Sequence, residues 1–319
     1  MAAEGIALLR RRAALTAEVR AFFAARGVME VDTPLLAEGL VVEAHIDPIP
    51  CRVQSGAQGA VERHLLTSPE GPMKRLLAVG AGPIFQLAHA FRDGEVGRRH
   101  AVEFAMLEWY RPGFDHLQLM DEVEALVQRL LPSTADEPFD RVSYRALFVE
   151  HAAVDPFATT LPDALRACAA LGVDVPDGLG AGALDDALDL LLVSHIEPQL
   201  AQQRPLFVHG YPPSQAALAR VRAPGGGEPA TADRFELYVQ GVELANGYHE
   251  LADPAEQRAR FERANRQRAA QGRRQLPLDE PLLDALAGGF PDCAGVALGF
   301  DRLVMLACGV ERIADLRWG

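Results

Sequence analysis

A chain of 319 residues, 49% hydrophobic and 24% charged, can bury a sizeable core as one large domain or two ordinary ones. Its formal net charge of −13 argues against a passive nucleic-acid coat, where a basic face supplies most of the affinity. The four cysteines (Cys51, Cys168, Cys293 and Cys308) are far apart and form no C-x-x-C pair, so they read as free thiols of a reducing, cytoplasmic compartment.

Residues 6–26 show the period of an amphipathic helix, with Ile6, Leu9, Val19, Phe22 and Phe23 on one side and Gly27 as its stop. Arginines interrupt its apolar pattern, so it is no secretory signal. An extended MEVDTPLL follows, in which Pro34 keeps Thr33 out of helical geometry. Residues 62–70 and 82–92 read as strand and turn, with a short helix over 73–79 between them, and AVEFAMLEWY as a buried strand. Residues 116–131 form a helix, with Leu119, Met120, Val123, Leu126, Val127 and Leu130 at three- and four-residue steps. Further helices are expected over 143–151, 162–171 and 183–200, and 132–205 reads as a helical elaboration of one domain spanning 1–319. The segment 222–234 reads as a flexible surface loop, and ELYVQGVELANG as buried strand. Asp253, Pro254 and Glu256 spell the start of a helix running to about Gly272. The most apolar stretch, 293–310, carries Asp301 and Arg302 and is no membrane span. Strands dispersed among helices without strict alternation predict an α+β fold with a mainly antiparallel sheet.

Several residues carry possible chemistry. Arg92 sits between a strand and a Gly-rich loop, DGEVGRRH, where a planar guanidinium suits a phosphate contact; a solvated hairpin is the plainer alternative. Arg302, at the start of the apolar helix in GVALGFDRLVML, needs a partner, either Asp301 or another carboxylate, or a nucleotide base to stack on. Glu236, Glu243 and Glu250 recur seven residues apart. Odd separations alternate faces along one strand, so a bend at Gly241 is needed to aim Glu236 and Glu243 at one Mg²⁺. Ser68 and Glu70 lie on a turn ahead of a helix that Ser68 can cap.

Taken together, MEVDTPLL, FRDGEVGRRHAVEFAMLEWYRP and GVALGFDRLVML resemble motifs 1, 2 and 3 of the class II aminoacyl-tRNA synthetases, and TSPE and ELANGYHEL are similar to the lysine-site segments of the lysyl branch. The resemblance runs from about residue 6 to about residue 313. It implies a class II synthetase-like catalytic domain, an antiparallel sheet flanked by helices, that uses ATP and Mg²⁺ and dimerises through the motif 1 region. Arg92 and Arg302 would be catalytic, Arg92 on the α-phosphate and Arg302 sandwiching the adenine with Phe104. Gly94, His100, Glu243, Leu244 and Gly299 would complete the nucleotide site. Glu236 and Glu243 would hold the metal with Asn246 nearby, and Ser68, Glu70, Glu108, Tyr110, Glu250 and Ala297 would surround a cationic amino acid. Family members usually carry glutamate in place of Gly94 and asparagine in place of Ala101.

Motif 1 is under way by residue 31, which leaves no room ahead of it for an anticodon-binding barrel of roughly 80–100 residues. The chain therefore looks like the stand-alone, protein-modifying branch of the family, in which (R)-β-lysine is activated and transferred to a lysine of elongation factor P, with no tRNA as acceptor. Alanine at 297, where lysyl-tRNA synthetases have glycine, fits that branch. A truncated paralogue charging a tRNA or carrier with α-lysine, and a catalytically silent regulatory paralogue, are the alternatives.

Overall fold

The computed structural model describes residues 2–56, 59–176, 179 and 184–316. Helix α1 (Ala2–Ala24) opens the chain, followed by short strands β1 (Met29–Glu30) and β2 (Leu36–Ala37). Strands β3 (Pro50–Gln54) and β4 (Ala60–Leu65) and helix α2 (Glu70–Ala78) lead into the long strands β5 (Ile84–Phe91) and β6 (Glu103–Pro112). Helix α3 (His116–Leu130) precedes β7 (Asp140–Ser143) and the helices α4 (Tyr144–Ala152), α5 (Leu161–Ala170), α6 (Leu184–Leu191) and α7 (Glu197–Leu200). Then come β8 (Leu206–Tyr211), β9 (Val221–Arg222), β10 (Thr231–Val239) and β11 (Val242–His249). Helices α8 (Pro254–Ala270) and α9 (Glu280–Gly289), strand β12 (Cys293–Gly299) and helix α10 (Phe300–Cys308) follow.

Contacts divide the chain into two compact units. The first comprises Met1–Asp115, Arg129–Leu131 and Glu250–Gly319; the second comprises His116–Gln128 and Pro132–His249.

In the first unit β1 runs parallel to β5, and β5, β6 and β12 pair antiparallel in that order. Helix α1 closes one face through Phe23, whose ring stacks on Phe85 at 4.5 Å and meets Trp109 edge-on at 5.3 Å. Leu15, Val19, Phe22 and Phe23 are buried, whereas Ile6 and Leu9, expected on the same face, are 48% and 45% exposed. The helix ends through Gly27, whose φ of +65° lets the Val28 N–H return to the Phe23 carbonyl. A second, three-stranded sheet, β2-β4-β3, is antiparallel throughout. Arg268 of α8 is 1% exposed and is satisfied by the carbonyls of Glu43, Ile46 and Arg274 and by the Asp47 carboxylate. The Asp47 carbonyl in turn accepts the Asp93 N–H, so a buried arginine holds the segment on which the β5–β6 loop rests.

In the second unit the strand order is β11-β10-β8-β7, antiparallel except for the parallel β7–β8 pair, with β9 added to β10. Its core joins Tyr144 and Phe148 of α4, Leu188 and Leu191 of α6, and Val208 and Tyr211 of β8. The helix expected over 183–200 begins at Leu184, residue 183 lying outside the described residues, and a π-helical turn at Leu192–Ile196 breaks it. Pro198 cannot donate to the preceding turn, and its ring crowds the carbonyl four residues back, so a regular helix cannot run through it. The loop expected over 222–234 is corrected to a short β-hairpin, because Arg222 pairs with Thr231 and Val221 with Ala232. Helix α8 starts where the sequence indicated: the Asp253 side chain accepts the Ala255 and Glu256 N–H groups at 2.8 and 3.1 Å.

Candidate active site

Alternation along β6 places Glu108 and Tyr110 on one face, and the register places Ala297 and Gly295 of β12 directly beside them. On the other side Gln86 and Ile84 of β5 complete the two rows. Glu108 is 2% exposed, with one carboxylate oxygen accepting from Ser68 Oγ and the other from the Tyr110 hydroxyl, each at 2.6 Å. Gly295 is required here: a Cβ would lie 2.3 Å from the Tyr110 ring and 2.5 Å from Glu250 Oε1. Ser68 does not cap α2, whose N-cap is Pro69 without a side-chain bond; its Oγ accepts the Glu70 N–H at 3.0 Å.

Lys74, one turn beyond Glu70 on α2, is buried between Glu70 and Glu250. Its Nζ lies 2.6 Å from Glu250 Oε2, a close ion pair without hydrogen-bond alignment, and it also hydrogen-bonds Glu70. Burial pushes the Glu108 carboxyl up to about 7, helped by the charge of Glu70 and opposed by the Ser68 and Tyr110 bonds. Burial likewise pushes Glu250 up to about 8 against the pull of Lys74. For Lys74 burial acts downward, but Glu250 and then Glu70 more than offset it, so the ammonium is held above its ordinary range. We take the ammonium as charged, because it bridges two carboxylates. Glu70, Glu108 and Glu250 then outnumber the one cation, and ionising all of them buries a net charge of about −2. The pocket therefore retains protons until a ligand brings positive charge.

The β5–β6 loop holds Arg92 by its own N–H to the Val102 carbonyl at 2.8 Å. The guanidinium lies 5.1 Å over the Phe104 ring, with Nε 3.5 Å from the Thr67 carbonyl and Nη1 3.6 Å from Glu95. Gly94 has φ +76°, a left-handed turn that disfavours the glutamate usual in the family. Arg302, near the start of α10, donates to the Arg99 carbonyl at 3.3 Å and lies 2.8 Å from His100 Nε2. Partial burial and then the Arg302 charge push the His100 pKa down, leaving a neutral ring able to accept. Gly299 gives the Arg302 stem its room, since a Cβ there would sit 3.3 Å from Arg302 Cδ. Asp301 is not the partner of Arg302: it accepts the Ala105 N–H at 2.9 Å and pairs with Arg12 of α1.

In the second unit β10 and β11 form a hairpin through Gln240 and Gly241, both with positive φ. Tyr238 lies opposite Glu243, and Glu236 opposite Asn246. The chain reversal, rather than a bend within one strand, puts the two glutamates on one face, and a register shift that leaves Leu244 as the extra residue brings Asn246 to the same side. Glu236 is occupied on both oxygens, by Arg234 at 2.5 Å and by the Tyr238 hydroxyl at 2.6 Å. Asn246 Oδ1 is buried without a hydrogen-bond partner. An all-oxygen set with such an orphan acceptor at Asn246 fits Mg²⁺.

Sequence reasoning missed Lys74, Gln86, Gly295 and the Arg12–Asp301 pair. The Glu70–Lys74 spacing of four on a predicted helix was a usable signal; the others join distant segments.

A buried acidic amine pocket on the antiparallel strands, beside a hairpin arginine and a glycine-started helix, defines a class II synthetase-type catalytic unit. Residues 3–318 match the family described as tRNA synthetases class II (D, K and N), and the chain belongs to it. Among curated proteins it is similar to those named Elongation factor P--(R)-beta-lysine ligase from Salmonella typhi, Salmonella dublin and Salmonella typhimurium. Each is 46% identical over 310 residues, covering 97% of this chain and 93% of the relative. Among the described residues no helix is long and apolar enough to cross a membrane.

Proposed function

We propose that this chain is an ATP-dependent ligase that activates (R)-β-lysine as its adenylate and transfers it to the ε-amine of a lysine on elongation factor P. The observation that carries the reading is the acid-rich pocket of Glu70, Glu108 and Glu250 around a single buried lysine, in a chain 46% identical to ligases of that name. A diamino acid brings two ammonium groups, the charge this pocket lacks, and a neutral analogue leaves its carboxylates unpaired or protonated.

In the first step a substrate carboxylate oxygen attacks the α-phosphorus of ATP, the α–β phosphate bond breaks and pyrophosphate leaves. Arg92 stabilises the negative charge that accumulates on the α-phosphate, and Arg302, with Phe104, holds the adenine. In the second step the acceptor amine attacks the acyl carbon, the acyl–phosphate bond breaks, AMP leaves and the nitrogen loses its proton. No side-chain nucleophile is needed, so alignment and electrostatics carry the rate. Mg²⁺, held by Glu243 and Asn246 with Glu236, would neutralise phosphate charge. Gly94, His100 and Gly299 shape the nucleotide site in the first unit. Ala297, in register with Glu108, puts a methyl on the pocket floor that favours an amine displaced by one carbon.

Exposed Ile6, Leu9, Met29 and Leu36 in the motif 1 region support a homodimer, and the four free cysteines support a cytoplasmic setting.

The test is to incubate the chain with ATP, elongation factor P and either lysine isomer, following pyrophosphate exchange and the mass of the factor. The expected result is exchange that prefers (R)-β-lysine and a factor heavier by one lysyl group. Preference for α-lysine with an unmodified factor overturns the proposal.

A further inference from the structure

Apart from the groups described above, the second unit gathers His116, Asp233 and His249, all buried, with one donor atom from each lying within 4.8 Å of the others. His116 Nε2 is 3.9 Å from Asp233 Oδ1, and His249 Nδ1 is 3.9 Å from Asp233 Oδ2. Both separations exceed hydrogen-bond range, so the imidazoles surround the carboxylate without bonding it. The two rings are 6.4 Å apart and inclined by 32°. Two nitrogens and a carboxylate around one tetrahedral ion with bonds of about 2.0–2.1 Å are roughly 3.3 Å apart, so each nitrogen–oxygen separation of 3.9 Å needs to close by about 0.6 Å, a shift that side-chain rotation can supply.

The backbone fixes two of the three donors. The Asp233 N–H donates to the Arg220 carbonyl at 3.0 Å, and the Arg220 N–H to the His249 carbonyl at 2.9 Å, so one residue ties both together. His116 enters as the first residue of α3. Arg222 donates to Asp233 Oδ1 at 2.5 and 3.1 Å, which orients the carboxylate and leaves Oδ2 on the side of His249. A carboxylate that ligates a metal is commonly held by such an outer hydrogen bond.

We propose that His116, Asp233 and His249 form a binding site for a divalent transition ion of the zinc class, separate from the Mg²⁺ that serves ATP. Two imidazole nitrogens and one carboxylate suit a borderline ion and not Mg²⁺, which prefers oxygen ligands throughout. The ion joins α3, β10 and β11 of the second unit, so its role is to stiffen that unit, with water completing its coordination.

The experiment uses the untagged full chain, stripped with a chelator and titrated with Co²⁺ and Zn²⁺. The expected result is one Co²⁺ per chain with tetrahedral ligand-field bands lacking thiolate charge transfer, displacement of Co²⁺ by Zn²⁺ but not by excess Mg²⁺, and a Zn²⁺-dependent rise in Tm. His116→Gln and Asp233→Asn should each weaken binding at least 100-fold and abolish the Zn²⁺-dependent rise. Absence of stoichiometric binding to the wild-type chain overturns the proposal, as does thiolate charge transfer, which assigns the ion to cysteines. Undiminished binding by both variants overturns it too. If a variant does not fold, the wild-type spectrum and its Mg²⁺ competition decide alone.

Discussion

Gly295 faces Tyr110 across the β6–β12 pair so closely that a Cβ at 295 would lie 2.3 Å from the Tyr110 ring. That ring cannot retreat without losing its 2.6 Å bond to Glu108, and Glu250 blocks the other side of the same Cβ. Gly295→Ala is therefore expected to displace Tyr110 and open the Glu108 contact. Overpacking of this kind costs about 1–3 kcal/mol of stability. The rise in amino-acid KM should exceed any change in ATP KM; equal changes in both would place the damage outside the pocket. Isotherms for each substrate and a thermal melt check this.

Glu108 sets a pH dependence. Its carboxyl is held up to about 7 in the folded chain against an ordinary 4.5. The folded state thus binds the proton more tightly than the unfolded state, and stability falls as pH rises from about 4.5 to about 7, then levels off. Substrate affinity moves in the opposite sense, because a cationic amino acid prefers the ionised carboxylate. KM for the amino acid should drop about tenfold between pH 6 and pH 8. Glu108→Gln should flatten both trends, with the overall affinity reduced. A KM profile unchanged by that substitution would show that another group titrates.

Ala297 lies in register with Glu108, on the floor of the same row. Ala297→Gly removes one methyl and should shift the ratio of kcat/KM for α-lysine over (R)-β-lysine by about 10-fold or more toward α-lysine. Competitive adenylation with the two isomers reads this directly.

Arg302 donates to the Arg99 carbonyl and lies beside His100, so these contacts tie it to the β5–β6 loop. Arg302→Ala should therefore abolish pyrophosphate exchange, by at least 100-fold, while Tm moves by little. Asp301→Asn should do the reverse, because Asp301 is buried and holds both the Ala105 N–H and Arg12. Asp301 is the buried partner and Arg12 is 29% exposed, so the loss costs about 1–3 kcal/mol. The same response from both variants would collapse this division of labour.

Local chemistry made much of this protein legible in advance. The α3 periodicity, the Asp253 cap and the strand character of 103–112 follow from short-range rules, and the structure has them at those positions. Arg92, Glu108, Tyr110 and Glu250 were named from motifs whose spacing survives in the sequence, and the Glu70–Lys74 pair could have been read from its spacing of four. Tertiary structure decided what joins distant segments. Ile6 and Leu9 are exposed because amphipathic period shows that a face exists, not what covers it. Glu236 and Glu243 share a face because the hairpin reverses the chain, which an odd separation along a presumed single strand cannot reveal. Asp301 belongs to Arg12, almost the whole chain away, rather than to its neighbour Arg302. The His116–Asp233–His249 cluster has no sequence signature at all, since its members reach one another only after α3, β10 and β11 have packed. The sequence alone determined which residue types were available for the chemistry. Folding decided their partners, and burial then set the protonation of Glu108 and Glu250, because the cost of a charge depends on the surroundings that only packing supplies.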